Sequence, residues 1–217
     1  MFILYLILIF IVCYFIGSFP TAYFITRKFT GKDIRTYGTG NVGAMNVSRA
    51  TGKFYLFLLT FLGDVLKGAL PVFVVKRVAE SLIVPPSEII WFVTAAAAGV
   101  VWGHCFSIYF KIKEGKFSGG KAIASLIGIL SILNFNWLFL PWGLVCIFTI
   151  LASGNLFLGQ FMGTVFLPII GWFLVPEYFW FCVLLAIPVF IKQWPRFIPL
   201  LEGKEPSWYF KSKKSKS

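Results

Sequence analysis

Apolar side chains run along this chain in long blocks separated by short polar stretches, and the blocks recur over most of its length. They cover 2–26, 54–75, 89–110, 122–133, 137–151, 156–175 and 178–191. A helix that crosses a bilayer needs about 20 mostly apolar residues, and most of these blocks reach or approach that length. A transmembrane strand would alternate apolar and polar residues, whereas 2–15 and 54–61 are almost uniformly apolar. The pattern predicts an all-α polytopic integral membrane protein of about seven transmembrane helices, one or more of them short or broken. The block 122–133 is too short for a perpendicular crossing, so a half-helix or a tilted one is expected there. The first block is interrupted by Gly17 and Pro20 and lacks a basic start, so it reads as a retained, broken span rather than a cleaved signal.

Composition sharpens this picture. With 59% hydrophobic and 13% charged residues and a mean hydropathy of +0.85, the chain has too little charge to coat a soluble domain of its size. No repeat or long linker is visible, so residues 1–217 read as a single membrane-embedded domain with a basic tail at about 193–217. The net charge of +12 is unevenly spread. Segment 27–53 carries Arg27, Lys28, Lys32, Arg35, Arg49 and Lys53, and segment 111–121 carries Lys111, Lys113, Lys116 and Lys121. The loop between them, 76–88, has only Lys76 and Arg77, Lys67 lies within a span, and seven more basic residues follow from Lys192 onward. Basic loops mark the cytoplasmic side, so the N-terminus is expected outside, with the two basic segments and the tail in the cytoplasm. The charge then requires no nucleic acid, and the lysines of 211–216 read either as meeting anionic lipid headgroups or as a solvated terminus. Cys13, Cys105, Cys146 and Cys182 are scattered through apolar sequence and read as packing thiols. One histidine cannot make a histidine metal cluster, and neither metal nor cofactor is expected.

The candidate chemistry lies between the blocks. Residues 38–49 read GTGNVGAMNVSR, a glycine-rich polar loop at a membrane edge. Gly38, Gly40 and Gly43 permit sharp turns, Thr39 exposes a hydroxyl, and Asn41, Asn46 and Arg49 offer donors to oxygen anions. Gly119-Gly120-Lys121 opens directly into an apolar run, a pattern suited to anion binding at a helix N-terminus, though it lacks the spacing of a nucleotide P-loop. Asp64 and Lys67 stand three positions apart inside a span, able to pair on one helix face, with a bridge from Asp64 to Arg35 or Arg49 equally open. His104 is the only imidazole, read either as a proton shuttle or as a hydrogen-bonded packing residue. A histidine followed five positions later by aspartate is absent, since position 109 is Tyr, and no serine sits in a G-x-S-x-G elbow.

Several motifs coincide in order and spacing. Gly17-Ser-Phe-Pro-Thr-Ala-Tyr23, Asp33-Ile-Arg35, the segment 38–49, Asp64-Val-Leu-Lys-Gly68 and Gly103-His104 are followed by Phe117-Ser-Gly-Gly-Lys-Ala-Ile-Ala-Ser125. Together they resemble the bacterial acyl-phosphate-dependent glycerol-3-phosphate acyltransferases as far as about Ser125; beyond it the likeness is mainly hydropathy plus Leu200-Leu-Glu-Gly-Lys-Glu205. The resemblance implies a seven-helix enzyme of a bacterial plasma membrane. It would move a fatty acyl group from acyl phosphate to the 1-hydroxyl of glycerol 3-phosphate, giving lysophosphatidic acid without metal or nucleotide, and act as a monomer. It also implies Thr39, Asn41, Arg49 and Lys121 as catalytic residues, with Thr39 where the family has serine. Gly38, Gly40, Asn46, Gly119, Gly120, Lys121, His104 and Arg196 are implied to bind substrate. This chain departs from the family at Met45 (threonine there), Ser118 (lysine), Ala122 (glycine), and in the third motif at Gln193 and Arg196, where histidine and asparagine are usual. Those departures keep a second reading open: a paralogue that binds a phosphorylated lipid or intermediate without this turnover, or with another acceptor. A small transporter of a phosphorylated solute ranks last, because its polar groups would lie at the bilayer midplane rather than in edge loops.

Overall fold

The structure, a computed structural model, describes residues 1–204. The tail lysines of 211–216 and Glu205 lie outside the described residues. Among the described residues eleven α-helices follow one another: α1 (Phe2–Ser18), α2 (Thr21–Thr30), α3 (Ala44–Thr51), α4 (Phe54–Ser81), α5 (Pro86–Cys105), α6 (Ile108–Glu114), α7 (Ile123–Leu133), α8 (Leu140–Ser153), α9 (Leu156–Leu174), α10 (Phe179–Gln193) and α11 (Phe197–Leu201). Six stretches of the described residues are long and apolar enough to cross a membrane, and α7 is an additional short apolar helix. The expected bundle with short and broken members is therefore present.

The differences from expectation have local causes. The first span breaks between α1 and α2, where Pro20 has no N–H to continue the ladder. The third block does not run to 110: Phe106 leaves the helical region, α5 stops at Cys105, and α6 follows as a separate short helix. Segment 38–49 is a loop only to Gly43, after which α3 begins. The second span continues past 75 to Ser81, carrying Lys76 and Arg77 within the helix.

Helix pairs pack through glycine, as expected where lipid supplies no hydrophobic drive between helices. A Cβ on Gly103 of α5 would press on the backbone of α1 at Tyr14 and Ser18, and one on Gly68 of α4 on the backbone of α7 at Ser125. The main core gathers Val72, Val100, Leu126, Ile129, Leu167, Leu185 and their neighbours. A second, smaller core of Ala22, Tyr23, Ile34, Val42, Val47, Leu56 and Phe110 fixes the polar segment 31–43 against α2, α3, α4 and α6. That second core brings 38–49 and 117–121 to one end of the bundle. The four cysteines are free and mostly buried.

Candidate functional site

The first loop is folded by one side chain. Asn46, 1% exposed, directs its Nδ2 at the carbonyl oxygens of Ile34 (3.1 Å), Tyr37 (2.9 Å) and Asn41 (3.0 Å), while its Oδ1 accepts the Thr39 N–H at 3.1 Å. Two hydrogens are shared among three carbonyls, so the amide is saturated by backbone. Asn46 thus organises the loop rather than presenting a free donor to a ligand. Gly38 and Gly40 adopt φ of +55° and +66°, left-handed turns that bring the chain around this amide.

The glycine loop is packed onto the end of α5. Gly120 donates its N–H to the His104 carbonyl (3.1 Å), and Ser107 donates its N–H to the Ser118 carbonyl (2.9 Å). A Cβ on Gly119 would meet the Cys105 carbonyl, and one on Gly120 would meet both the His104 ring and the Val42 carbonyl, at 2.6 Å from the latter oxygen. Close approach is therefore what these glycines supply, and the Gly120 N–H is already engaged. The contact with Val42 also joins the glycine loop to segment 38–43. Ala122, at the N-cap of α7, has φ +55°, a left-handed conformation that costs an L-residue with a Cβ about 1–2 kcal/mol.

His104, buried, sits between these parts. Ser125 donates its one hydroxyl proton to the Asp64 carbonyl (3.0 Å), so in the 3.1 Å contact with His104 Nδ1 it is the acceptor. Nδ1 then carries the hydrogen and Nε2 faces Gly120 as an acceptor. Asp64 pairs with Lys67 at 2.9 Å, and Lys67 also donates to the Phe19 carbonyl at 3.0 Å.

Outside the spans, Arg35 joins the two loops. Its guanidinium donates to Asp33 (Nε to Oδ1, 3.0 Å) and to Glu114 at the end of α6 (Nη2 to Oε1, 2.6 Å), and lies 4.6 Å from the Phe110 ring centre. Hydrogen bonds from Arg35 hold both the Asp33 and the Glu114 carboxyl below the ordinary carboxylate range. The same bonds keep Arg35 protonated still more firmly than a free arginine.

These elements enclose a cavity of about 220 Å³. Thr39, Asn41, Asn46 and Arg49 line it from the first segment, Lys121 from the second, His104 from α5 and Arg196 from beyond α10. Gly38 and Gly40 do not line it, and Gly119 and Gly120 border a smaller adjoining cavity shared with Asp64, Lys67 and His104. Phe57, Phe61, Ile123 and Leu156 provide an apolar wall. Among the described residues that line it, Asp64 is the one carboxylate beside the cations Arg49, Lys121 and Arg196, and Lys67 pairs with it. The first turns of α3, α7 and α9 all border the space, at Ala44 and Met45, at Ile123 and Ala124, and at Leu156 and Phe157. Helix N-termini carry orphan N–H groups and the positive end of the dipole, so backbone and side chains favour an anion together. The α3 and α9 termini, Phe157 and Gln160 escaped the sequence reading; Asn155, whose Oδ1 caps Leu158 N–H at 3.0 Å, was the available signal for α9. Gln193 is fully buried and donates to the Gln160 carbonyl at 3.3 Å, one residue removed from the cavity.

Fold and cavity define a class first: a polytopic helical membrane protein with a cationic, partly apolar site at one end of its bundle. The chain belongs to the glycerol-3-phosphate acyltransferase family, which residues 7–203 match. A protein of Desulfovibrio desulfuricans named glycerol-3-phosphate acyltransferase is 36% identical over 90% of this chain and 81% of its own length. A Wolbachia protein of the same name is 32% identical over 91% of this chain and 96% of its own. The fold matches the crystal structure of PlsY (YgiH), an integral membrane glycerol 3-phosphate acyltransferase in its glycerol 3-phosphate form, with a TM-score of 0.76. That likeness, at 24% identity over 94% of this chain and 96% of that one, bears on the fold.

Proposed function

We propose that the chain transfers a fatty acyl group from acyl phosphate to the 1-hydroxyl of glycerol 3-phosphate, giving lysophosphatidic acid for phospholipid synthesis. The observation that carries this reading is the single cavity lined at once by Thr39, Asn41 and Arg49, by Lys121 and Arg196, and by three helix N-termini beside an apolar wall. Both substrates carry phosphate and one carries an acyl chain, and the lining offers a complement to each. Arg49 and Lys121 neutralise phosphate charge, Arg196 adds a further cation, and Thr39 and Asn41 orient the attacking hydroxyl. The hydroxyl oxygen bonds to the acyl carbon, the bond from that carbon to the phosphate oxygen breaks, and phosphate leaves with the electron pair and takes up the hydroxyl proton. Because the mixed anhydride is already activated, alignment and charge stabilisation carry the catalysis, and no side-chain nucleophile is needed. Asn46, Gly38 and Gly40 hold the first loop in register, and Gly119, Gly120 and His104 hold the second.

The whole chain acts as one membrane-embedded domain and as a monomer in a bacterial plasma membrane, with the N-terminus outside. The cavity and the tail face the cytoplasm, a placement supported by the basic residues of 27–53 and 111–121. A second reading, a paralogue with another acceptor or none, is favoured by one observation: Gln193, where the family resemblance has histidine, is buried against Gln160 and outside the cavity lining. Purified protein with acyl phosphate and labelled glycerol 3-phosphate, scored for labelled lysophosphatidic acid, decides between them. Product above background supports the acyltransferase; none, with product from another phosphorylated acceptor or from no acceptor, moves the conclusion to the second reading.

A further inference from the structure

Two of the cavity's cations meet on one aromatic ring. Phe157, in the first turn of α9 and 4% exposed, has Lys121 Nζ at 4.2 Å and Arg196 Cζ at 4.8 Å from its ring centre. The two basic residues come from the segment before α7 and the turn after α10, far apart in sequence, and both line the cavity together with Phe157. Like charges brought to one place repel, and burying an ammonium costs desolvation; Lys121 is only 7% exposed. An aromatic ring offsets part of both costs, because its quadrupole attracts a cation over its π-face without adding an opposite charge that would compete for an anion. A carboxylate in the same place would neutralise the site; a leucine would fill the volume and hold neither cation.

We infer that Phe157 is a positioning residue whose ring sets the placement of Lys121 and Arg196, so that the pair engages one phosphate in the cavity. Its identification with the phosphate of acyl phosphate rests on the acyltransferase reading above, while the platform itself requires only that a phosphate binds. Arg196 replaces the asparagine expected from the family resemblance, and the ring gives that added cation a fixed seat beside Lys121.

The test replaces Phe157 with mono-, di- and trifluorophenylalanine in the full-length protein in detergent. Fluorine drains the π-face while nearly preserving shape. Binding of inorganic phosphate is measured by calorimetry, alongside the KM for acyl phosphate and thermal stability. The expected result is a graded loss of phosphate affinity, about two- to threefold per fluorine, with a parallel rise in that KM and an unchanged melting temperature. Phe157→Trp retains affinity and Phe157→Leu loses it by about tenfold. The same fluorine series at Phe161, the neighbouring ring 6.2 Å away, leaves binding unchanged. A flat series at Phe157, or an equal effect at Phe161, overturns the inference while leaving the acyltransferase reading intact. Phosphate binding with a graded series but no acyl transfer upholds the platform and overturns that reading. No phosphate binding by the wild-type protein overturns the platform.

Discussion

Asn46 separates two ways a polar residue can matter to this site. Its side chain makes contacts with the carbonyls of Ile34, Tyr37 and Asn41 and with the N–H of Thr39, all at 2.9–3.1 Å and at 1% exposure. A net hydrogen bond contributes about 1 kcal/mol, and a buried partner left unsatisfied costs about 1–3 kcal/mol. Asn46→Ala removes the contacts together; since the loop carbonyls reach water once the loop opens, the expected loss in local stability is about 3–4 kcal/mol. Asn46→Asp keeps the size and the acceptor for Thr39 but turns a carboxylate oxygen toward three carbonyl oxygens, so it is expected to cost more than alanine. The assay is amide hydrogen exchange of residues 36–47 in detergent. Because 1.4 kcal/mol is a factor of ten, Asn46→Ala is expected to speed exchange of the Thr39 amide and its neighbours by about a hundredfold or more, with α4 and α5 unaffected. Asn46→Asp is expected to exceed that. Wild-type exchange in Asn46→Ala, with only a raised KM for glycerol 3-phosphate, would refute the reasoning and return Asn46 to the ligand set inferred from the motif.

Four further outcomes follow from the same geometry. Arg49→Ala is expected to lower kcat/KM by about a hundredfold or more while the melting temperature and membrane insertion stay at wild type, and wild-type rates would remove the first segment from the reaction. Arg35→Glu and Glu114→Arg each loosen 36–41 and 115–121 in hydrogen exchange, and the double swap restores protection only in part, because Asp33 then faces a glutamate; additive losses without rescue count against the clasp. Its carboxyls titrate below their ordinary values, so its stabilisation is complete above the ordinary carboxylate range and is lost as pH falls through the lowered values; protection of 33–41 is expected to stay flat from neutral pH down to that range and then to fall progressively as pH drops across it toward the lowered values. Lys67→Met strands the Asp64 carboxylate, with an expected loss of about 3–5 kcal/mol and weaker phosphate binding, both recovered by adding Asp64→Asn; no recovery would dissociate the pair from the site.

The sequence disclosed the bundle because lipid imposes one rule, long apolar helices, and the blocks obey it directly. The break at Pro20 and the short α7 were legible for the same reason. Helix ends were less so: α5 stops at Cys105 inside an apolar run, where Phe106 leaves the helical region and Ser107 pairs with Ser118, a tertiary event with no local signal. At the site, residue types showed that anions were involved but not which groups were available. Asn46 and Gly120 have the right chemistry for a ligand and use it on backbone, which only the fold reveals. Phe157 was invisible for the opposite reason, an aromatic residue in an apolar run that looks like core until two cations from distant segments arrive on it. Ala122 shows the use of a departure from family pattern: it falls at a left-handed φ of +55°, where glycine is the low-cost residue.

The pair inside the bundle explains how a membrane protein lines an anion site with an acid. Asp64 borders the cavity at 2% exposure, and an uncompensated carboxylate there would repel any phosphate and carry a large desolvation cost. Lys67, one turn along α4, cancels its charge at 2.9 Å. Lys67 is held in turn by the Phe19 carbonyl, which lies at the α1–α2 break beside Pro20. The Asp64 backbone carbonyl accepts from Ser125, which fixes the His104 tautomer against the glycine loop. A kink in the first span, an intramembrane ion pair and the seat of the second loop are thus one connected arrangement. Its effect is to cancel the acidic charge that Asp64 brings to the cavity, so that this carboxylate does not offset the fields of Arg49, Lys121, Arg196 and the three helix termini at the edge of a low-dielectric bundle.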